Sequence, residues 1–206
     1  MCDKYQTLAM ATLIALLCSV PCQAEETKEK KDTATAAQDK EIRGSQEEKT
    51  KEKTKADLPN FHEVHPFLYR GGEPTEKGLE ELKKMGVSTL IDLRAASEQK
   101  IDEKAIAKRL DLQYVNLPMS SKAPTKKQIE KFFKTLEQAA KDNTDGQHKV
   151  FVHCAHGSDR TGCMIGLWRV THDSYNYDDA YKEMRKYYFG PKFTNLSGAV
   201  KQYAHD

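Results

Sequence analysis

Apolar positions change their period several times along the chain, and each change marks an element. From Leu58 onwards, Phe61, Val64, Phe67, Leu68 and Tyr69 supply one or two short strands, and Arg70-Gly71-Gly72-Glu73-Pro74 is a turn signal. Thr75 caps a helix that carries Leu79, Leu82 and Met85 at helical spacing and stops at Gly86. The β-branched run Val87 to Leu93 predicts a buried strand. Ser97 and Glu98 open a second helix running through Ile101, Ala105, Ile106 and Leu110, and Leu112 to Leu117 is a further strand closed by Pro118. Thr125 caps a third helix with Ile129, Phe132, Phe133, Leu136 and Ala140, Asn143 to Gln147 is a turn, and Lys149 to His153 is a strand. Three helices follow: Arg160 to about Val170, a tyrosine-rich one, and Leu196 to Tyr203. The stripe Tyr177, Ala180, Tyr181, Met184 and Tyr188 reads as core.

Strands alternating with helices of this length predict a single α/β domain with a central, mostly parallel twisted sheet flanked by helices. In such sheets ligands bind beyond the carboxyl ends of the strands. The loop between the strand ending at His153 and the helix starting near Arg160 lies at that edge, and residues 58–206 are enough for one core.

Composition changes the picture mainly at the N-terminus. Lys4, the apolar stretch Leu8 to Val20 and the small residue Ala24 ahead of a run of acids describe a secretory signal peptide over 1–24. The stretch is shorter than the ~20 residues that span a bilayer, so an exported protein, periplasmic or secreted, without a stable membrane span after cleavage is expected. Residues 25–57 are rich in Lys, Glu, Thr, Ala and Gln and hold only Ile42 as a large aliphatic, which predicts a charged, disordered linker. The net charge of +2 conceals alternating lysines and glutamates and no broad basic field, so nucleic acid is not an expected partner. A monomer is expected. Of five cysteines, removal of the leader leaves Cys154 and Cys163, too few for a disulfide scaffold. Cys163 reads as a packing cysteine, with a protective disulfide to Cys154 as the alternative.

Cys154, Ala155, His156, Gly157, Ser158, Asp159 and Arg160 form a Cys-x5-Arg block followed by Thr161. Successive backbone N–H groups in a curled loop make an anion nest, to which the following helix adds its positive end. Arg160 offers a bidentate pair to two phosphate oxygens, and Gly157 lets the loop turn. This field favours the Cys154 thiolate, a nucleophile for in-line attack on a bound phosphate monoester. The Thr161 hydroxyl is placed to ease departure of the sulfur. Arg160 and the nest neutralise the charge, so neither a metal nor a cofactor is required.

Val152 to Gly162 resembles the signature of cysteine-dependent protein tyrosine phosphatases, nearest the compact dual-specificity and atypical bacterial members. Leu68 to Thr75 and Leu90 to Arg94 resemble the entry turn and first core strand of that group. The resemblance implies a phosphate-monoester hydrolase that forms a phosphocysteine and acts on phosphotyrosyl or dual-specificity protein substrates. Inositol polyphosphate or phosphoinositide head groups are the alternative, and an inactive phosphate-binding module is the non-enzyme alternative. One departure stands out. The family's distant acid loop corresponds here to Asn116 to Pro124, which holds no Asp or Glu. Asp159 is therefore the candidate acid, with a loop-bracing role as the competing reading. Asp92 and Asp111 read as structural and turn residues, and His153 is expected to order the loop from beneath. His156 and the cluster Lys122, Lys126 and Lys127 are candidates for meeting further phosphates.

Overall fold

The computed structural model describes residues 56–204, so the leader at 1–24 and nearly all of the linker at 25–57 lie outside the described residues. The sheet is built from β1 (His62–His65), β2 (Leu68–Gly71), β3 (Val87–Asp92), β4 (Gln113–Asn116) and β5 (Lys149–His153), in the order β1-β2-β5-β3-β4. Only the edge pair β1–β2 is antiparallel; β2–β5, β5–β3 and β3–β4 are parallel. The mostly parallel α/β sheet of the sequence reading is the fold observed.

Strand alternation divides the core. Val150 and Val152 of β5 and Ile91 of β3 enter one apolar cluster, while Phe151 and Leu90 enter the other. The first cluster is covered by α3 (Lys126–Asp142), α4 (Asp159–His172), α5 (Tyr177–Lys186) and α6 (Thr194–Tyr203), through Ile129, Phe132, Leu136, Met164, Leu167, Met184 and Leu196 among others. The second is covered by α1 (Glu76–Lys84) and α2 (Glu103–Arg109), through Leu79, Leu82 and Ala107. Each fully buried Leu or Phe of this kind contributes about 1.5–3 kcal/mol. Buried on both faces, the central strands carry the continuous apolar runs expected of a parallel sheet.

The caps follow the sequence signals. The Thr75 side chain accepts from the Gly78 N–H, and Thr125 and Gln128 form a capping box. Two expectations fail. The helix expected from Ser97 is a single 3-10 turn, Ala96–Glu98, followed by a bend at Lys100 and Ile101, and α2 starts only after Asp102. Asp102 wins the start because its side chain accepts the Ala105 N–H, whereas Glu98 spends its carboxylate on the Ala95 N–H and on Arg160. Tyr188 is the second. It lies beyond α5 at φ 67° and is 76% exposed, so the core stripe ends at Met184. No helix among the described residues is long and apolar enough to cross a membrane.

Register places the edge that carries the Cys154 loop. His153 at the carboxyl end of β5 is opposite Gly71 on one side and Asp92 on the other. The turn after β2 and the turn after β3 therefore flank the loop that starts at Cys154.

Candidate active site

Cys154 is the first residue after β5 and is 3% exposed. The loop beyond it is held by its carbonyls. Ala155 O accepts the Glu73 N–H at 3.2 Å, His156 O accepts Asn60 Nδ2 at 3.2 Å, Gly157 O accepts Arg70 Nη2 at 2.9 Å, and Ser158 O accepts the Gly162 N–H at 2.9 Å. Among the described residues no protein acceptor takes up the N–H groups of Ala155 to Arg160. Ser158 caps α4 without a side-chain hydrogen bond, so the first-turn donors of a fourteen-residue helix are also unclaimed. Carbonyls anchored and N–H groups free are the two halves of an anion nest.

Glycine makes the anchoring possible. Gly157 sits at φ 73°, and a Cβ there would lie 2.4 Å from the Gly71 carbonyl carbon. A Cβ on Gly72 would meet the His156 and Ala155 carbonyls at 3.1–3.2 Å. The Cys154 loop and the turn after β2 thus pass backbone against backbone.

Arg160 is partly buried and ends in a fork with Glu98, Nη1 to Oε2 at 2.7 Å and Nη2 to Oε1 at 2.9 Å. Nη1 also reaches the Met119 carbonyl at 3.3 Å. The hydrogen bond from Arg160 holds the Glu98 carboxyl below the usual glutamate range. Sequence pattern marks this glutamate only as a helix opener. Its spacing from Arg160 is 62 residues, which no local pattern encodes.

Asp159 opens α4, and its Oδ1 accepts the Gly190 N–H at 2.7 Å, tying the loop before α6 to the catalytic loop. The bracing role is thus present in the structure, and Asp159 also lines the pocket. Thr161 is fully buried, and its hydroxyl has no hydrogen-bond partner among the described residues, Cys154 included. Cys163 is buried in the first cluster and donates to the Leu196 carbonyl at 3.4 Å; burial pushes its thiol well above the usual range. Both thiols are free, as the packing reading expects.

Beneath the loop lies a buried ion network. The His153 Nε2 meets Glu103 Oε1 at 2.8 Å, and Asp92 receives the Arg94 backbone N–H and Nε, each at 2.9 Å. Arg94 also pairs with Glu103 and Glu73. Asp92, Glu103 and His153 bring one ligand atom each within 4.8 Å of one another, but Arg94 is bonded to both carboxylates and supplies the positive charge there. Asp92 is structural, as expected, and Asp111 is an exposed turn residue at φ 53°.

The pocket in front of the loop measures about 440 Å³. Glu98, Met119, Ser120, Ser121, His156, Asp159, Arg160 and Phe193 are among its walls, and none of Lys122, Lys126 and Lys127 is. The loop expected to lack an acid therefore lines the pocket with Met119, Ser120 and Ser121.

Residues 45–202 match the family described as DSP-PTPase phosphatase fused to NAD+ kinase. The chain is 25% identical over 131 residues to the dual specificity protein phosphatase TpbA of Pseudomonas aeruginosa (strain UCBPP-PA14), covering 64% of this chain and 56% of TpbA. It is 28% identical over 123 residues to the chloroplastic NAD kinase 2 of Arabidopsis thaliana, covering 56% of this chain and 12% of that protein. The chain thus spans about half of TpbA's length and a small part of the kinase's. Among solved structures, the core catalytic domain of the PP-IP phosphatase SIW14 from S. cerevisiae superposes with a TM-score of 0.57 at 22% identity, covering 72% of this chain and 87% of that one. That likeness shows the fold.

Proposed function

Since this chain belongs to the family described as DSP-PTPase phosphatase fused to NAD+ kinase, we propose that it hydrolyses phosphate monoesters through a phosphocysteine on Cys154. The observation that carries this reading is the loop whose carbonyls are anchored and whose N–H groups are unclaimed, with a buried thiol at its start and Arg160 at its end.

In the first step the Cys154 thiolate attacks phosphorus and the bond to the ester oxygen breaks. Asp159 donates the proton to that oxygen, and the loop N–H groups and Arg160 hold the charge on the three equatorial oxygens. In the second step water attacks the phosphocysteine and gives its proton to Asp159. The P–S bond then breaks, and the loop N–H groups and the α4 N-terminus stabilise the departing thiolate.

Phosphotyrosyl protein is the substrate class this pocket supports best. Its apolar walls, Met119, Phe193 and Leu196, suit an aromatic ring, and Arg160 and His156 are its only basic lining residues among the described ones. TpbA carries the name dual specificity protein phosphatase, and a form of it with a cysteine replaced by serine has been solved in complex with pTyr. Export of the enzyme, with cleavage after Ala24, belongs to the same reading and rests on the leader-like pattern of 1–24.

The test is a panel of phosphotyrosyl peptide, inositol hexakisphosphate and phosphoinositide vesicles with the wild type, Cys154→Ser and Asp159→Asn. The expected result is a kcat/KM at least about tenfold higher on the peptide, loss of turnover in Cys154→Ser, and a fall of about 100-fold in Asp159→Asn. Turnover surviving in Cys154→Ser sinks the mechanism, and a preference for the inositol phosphates moves the substrate class.

A further inference from the structure

Two arginines of this domain are fully buried, and their surroundings are opposite. Arg94 lies among Asp92, Glu103 and Glu73. Arg70, on β2, forms no ion pair among the described residues. Its Nη2 donates to the Gly157 carbonyl at 2.9 Å, its Nε and Nη1 have no partner, and the Tyr187 ring covers the guanidinium at 4.4 Å. The acid that acts most strongly on Arg70, Glu183 on α5, is committed to Arg169 on α4 through bonds of 2.8 and 3.2 Å. The other charged or titratable groups bearing on Arg70 are Cys154, Arg169 and Tyr187, and Arg70 in turn acts on His62 of β1 beside Lys186. Burial lowers the guanidinium's pKa to about 10, which leaves it cationic at neutral pH.

A buried cation without a counter-ion is destabilising, and proteins keep one where an anion arrives to compensate it. The anion available to Arg70 is the one the catalytic loop collects. The carbonyl it grips belongs to Gly157, in the middle of that loop, which starts at Cys154. We infer that Arg70 is a positioning residue and counter-charge of the phosphate site: from behind the loop it draws the phosphate dianion in and holds the Gly157 carbonyl away from it. This rests on the phosphatase reading above and adds a residue to it. A ligand in the nest then faces two guanidiniums, Arg160 from the pocket side and Arg70 from behind.

The test separates charge from bracing. Inorganic phosphate affinity is measured calorimetrically on the full chain for the wild type, Arg70→Gln and Arg70→Lys, with circular dichroism to confirm folding. Glutamine keeps a donor for the Gly157 carbonyl without the charge, and lysine keeps the charge without the fork. The expected result is an affinity about tenfold or more weaker in Arg70→Gln and within about threefold of wild type in Arg70→Lys. A folded Arg70→Gln that loses less than tenfold overturns the inference, as does a folded Arg70→Lys that loses more than threefold. Should Arg70→Gln not fold, Arg70→Lys decides by the same threshold. A wild type that binds no phosphate brings down the phosphatase reading itself, which separates the two failures.

Discussion

At the scale of residues, Glu98 decides which edge of the Arg160 guanidinium stays free. The carboxylate takes one N–H from each Nη atom, and the Met119 carbonyl accepts a further contact from Nη1. Nε and the remaining N–H of Nη2 are left on one edge of the guanidinium, the geometry that grips two phosphate oxygens. Glu98→Ala is expected to lower kcat/KM on an aryl phosphate by about tenfold while the fold is retained, read by steady-state kinetics beside circular dichroism. The sign of the pH dependence follows from the depressed Glu98 carboxyl. The ion pair's contribution is complete above the unfolded glutamate value of about 4.3 and disappears as pH falls through the lower folded value. Glu98 is 37% exposed at its side chain, so solvent screening limits the stability term to about 1 kcal/mol or less. Wild type and Glu98→Gln should therefore differ slightly in urea midpoint at neutral pH and converge in acid.

At the scale of elements, the network of Asp92, Arg94, Glu103 and His153 joins α2 to the ends of β3 and β5, directly beneath the catalytic loop. All four residues are fully buried, so removing one charge strands its partners in a low-dielectric interior. Glu103→Ala is expected to destabilise the domain by about 3–5 kcal/mol, measured by urea denaturation. A loss below about 1 kcal/mol would mean that water reaches the network. The same region explains a miss in the sequence reading. Local pattern assigns Glu98 to a helix, but its carboxylate is taken by Arg160 and the Ala95 N–H, and α2 begins after Asp102 instead. Helix signals describe neighbours three and four residues apart, and they lose where a long-range partner binds more strongly.

At the scale of the whole molecule, the two apolar clusters and the pocket in front of the Cys154 loop are built, among the described residues, on both faces and at one edge of a single sheet. The segment before it enters only through the export reading, from which the mature protein is expected to start at Glu25. Intact-mass measurement of protein recovered outside the cytoplasm checks this, and a chain retaining Met1 would refute cleavage. The loop from Cys154 to Arg160 was legible in the sequence because it is local: Cys154, Gly157 and Arg160 lie within one strand-loop-helix step, and backbone geometry alone brings them together. The parallel sheet and its caps were legible for the same reason, as products of period and spacing. Arg70, Asn60, Glu73 and Glu98 were not, although they grip the same loop. Arg70 lies 87 residues from the carbonyl it holds, and Asn60 lies 96 from its own. Only the strand order β2-β5-β3 sets the turns after β2 and β3 on either side of Cys154. Strand order follows from the packing of the whole core, which no local stretch of sequence carries.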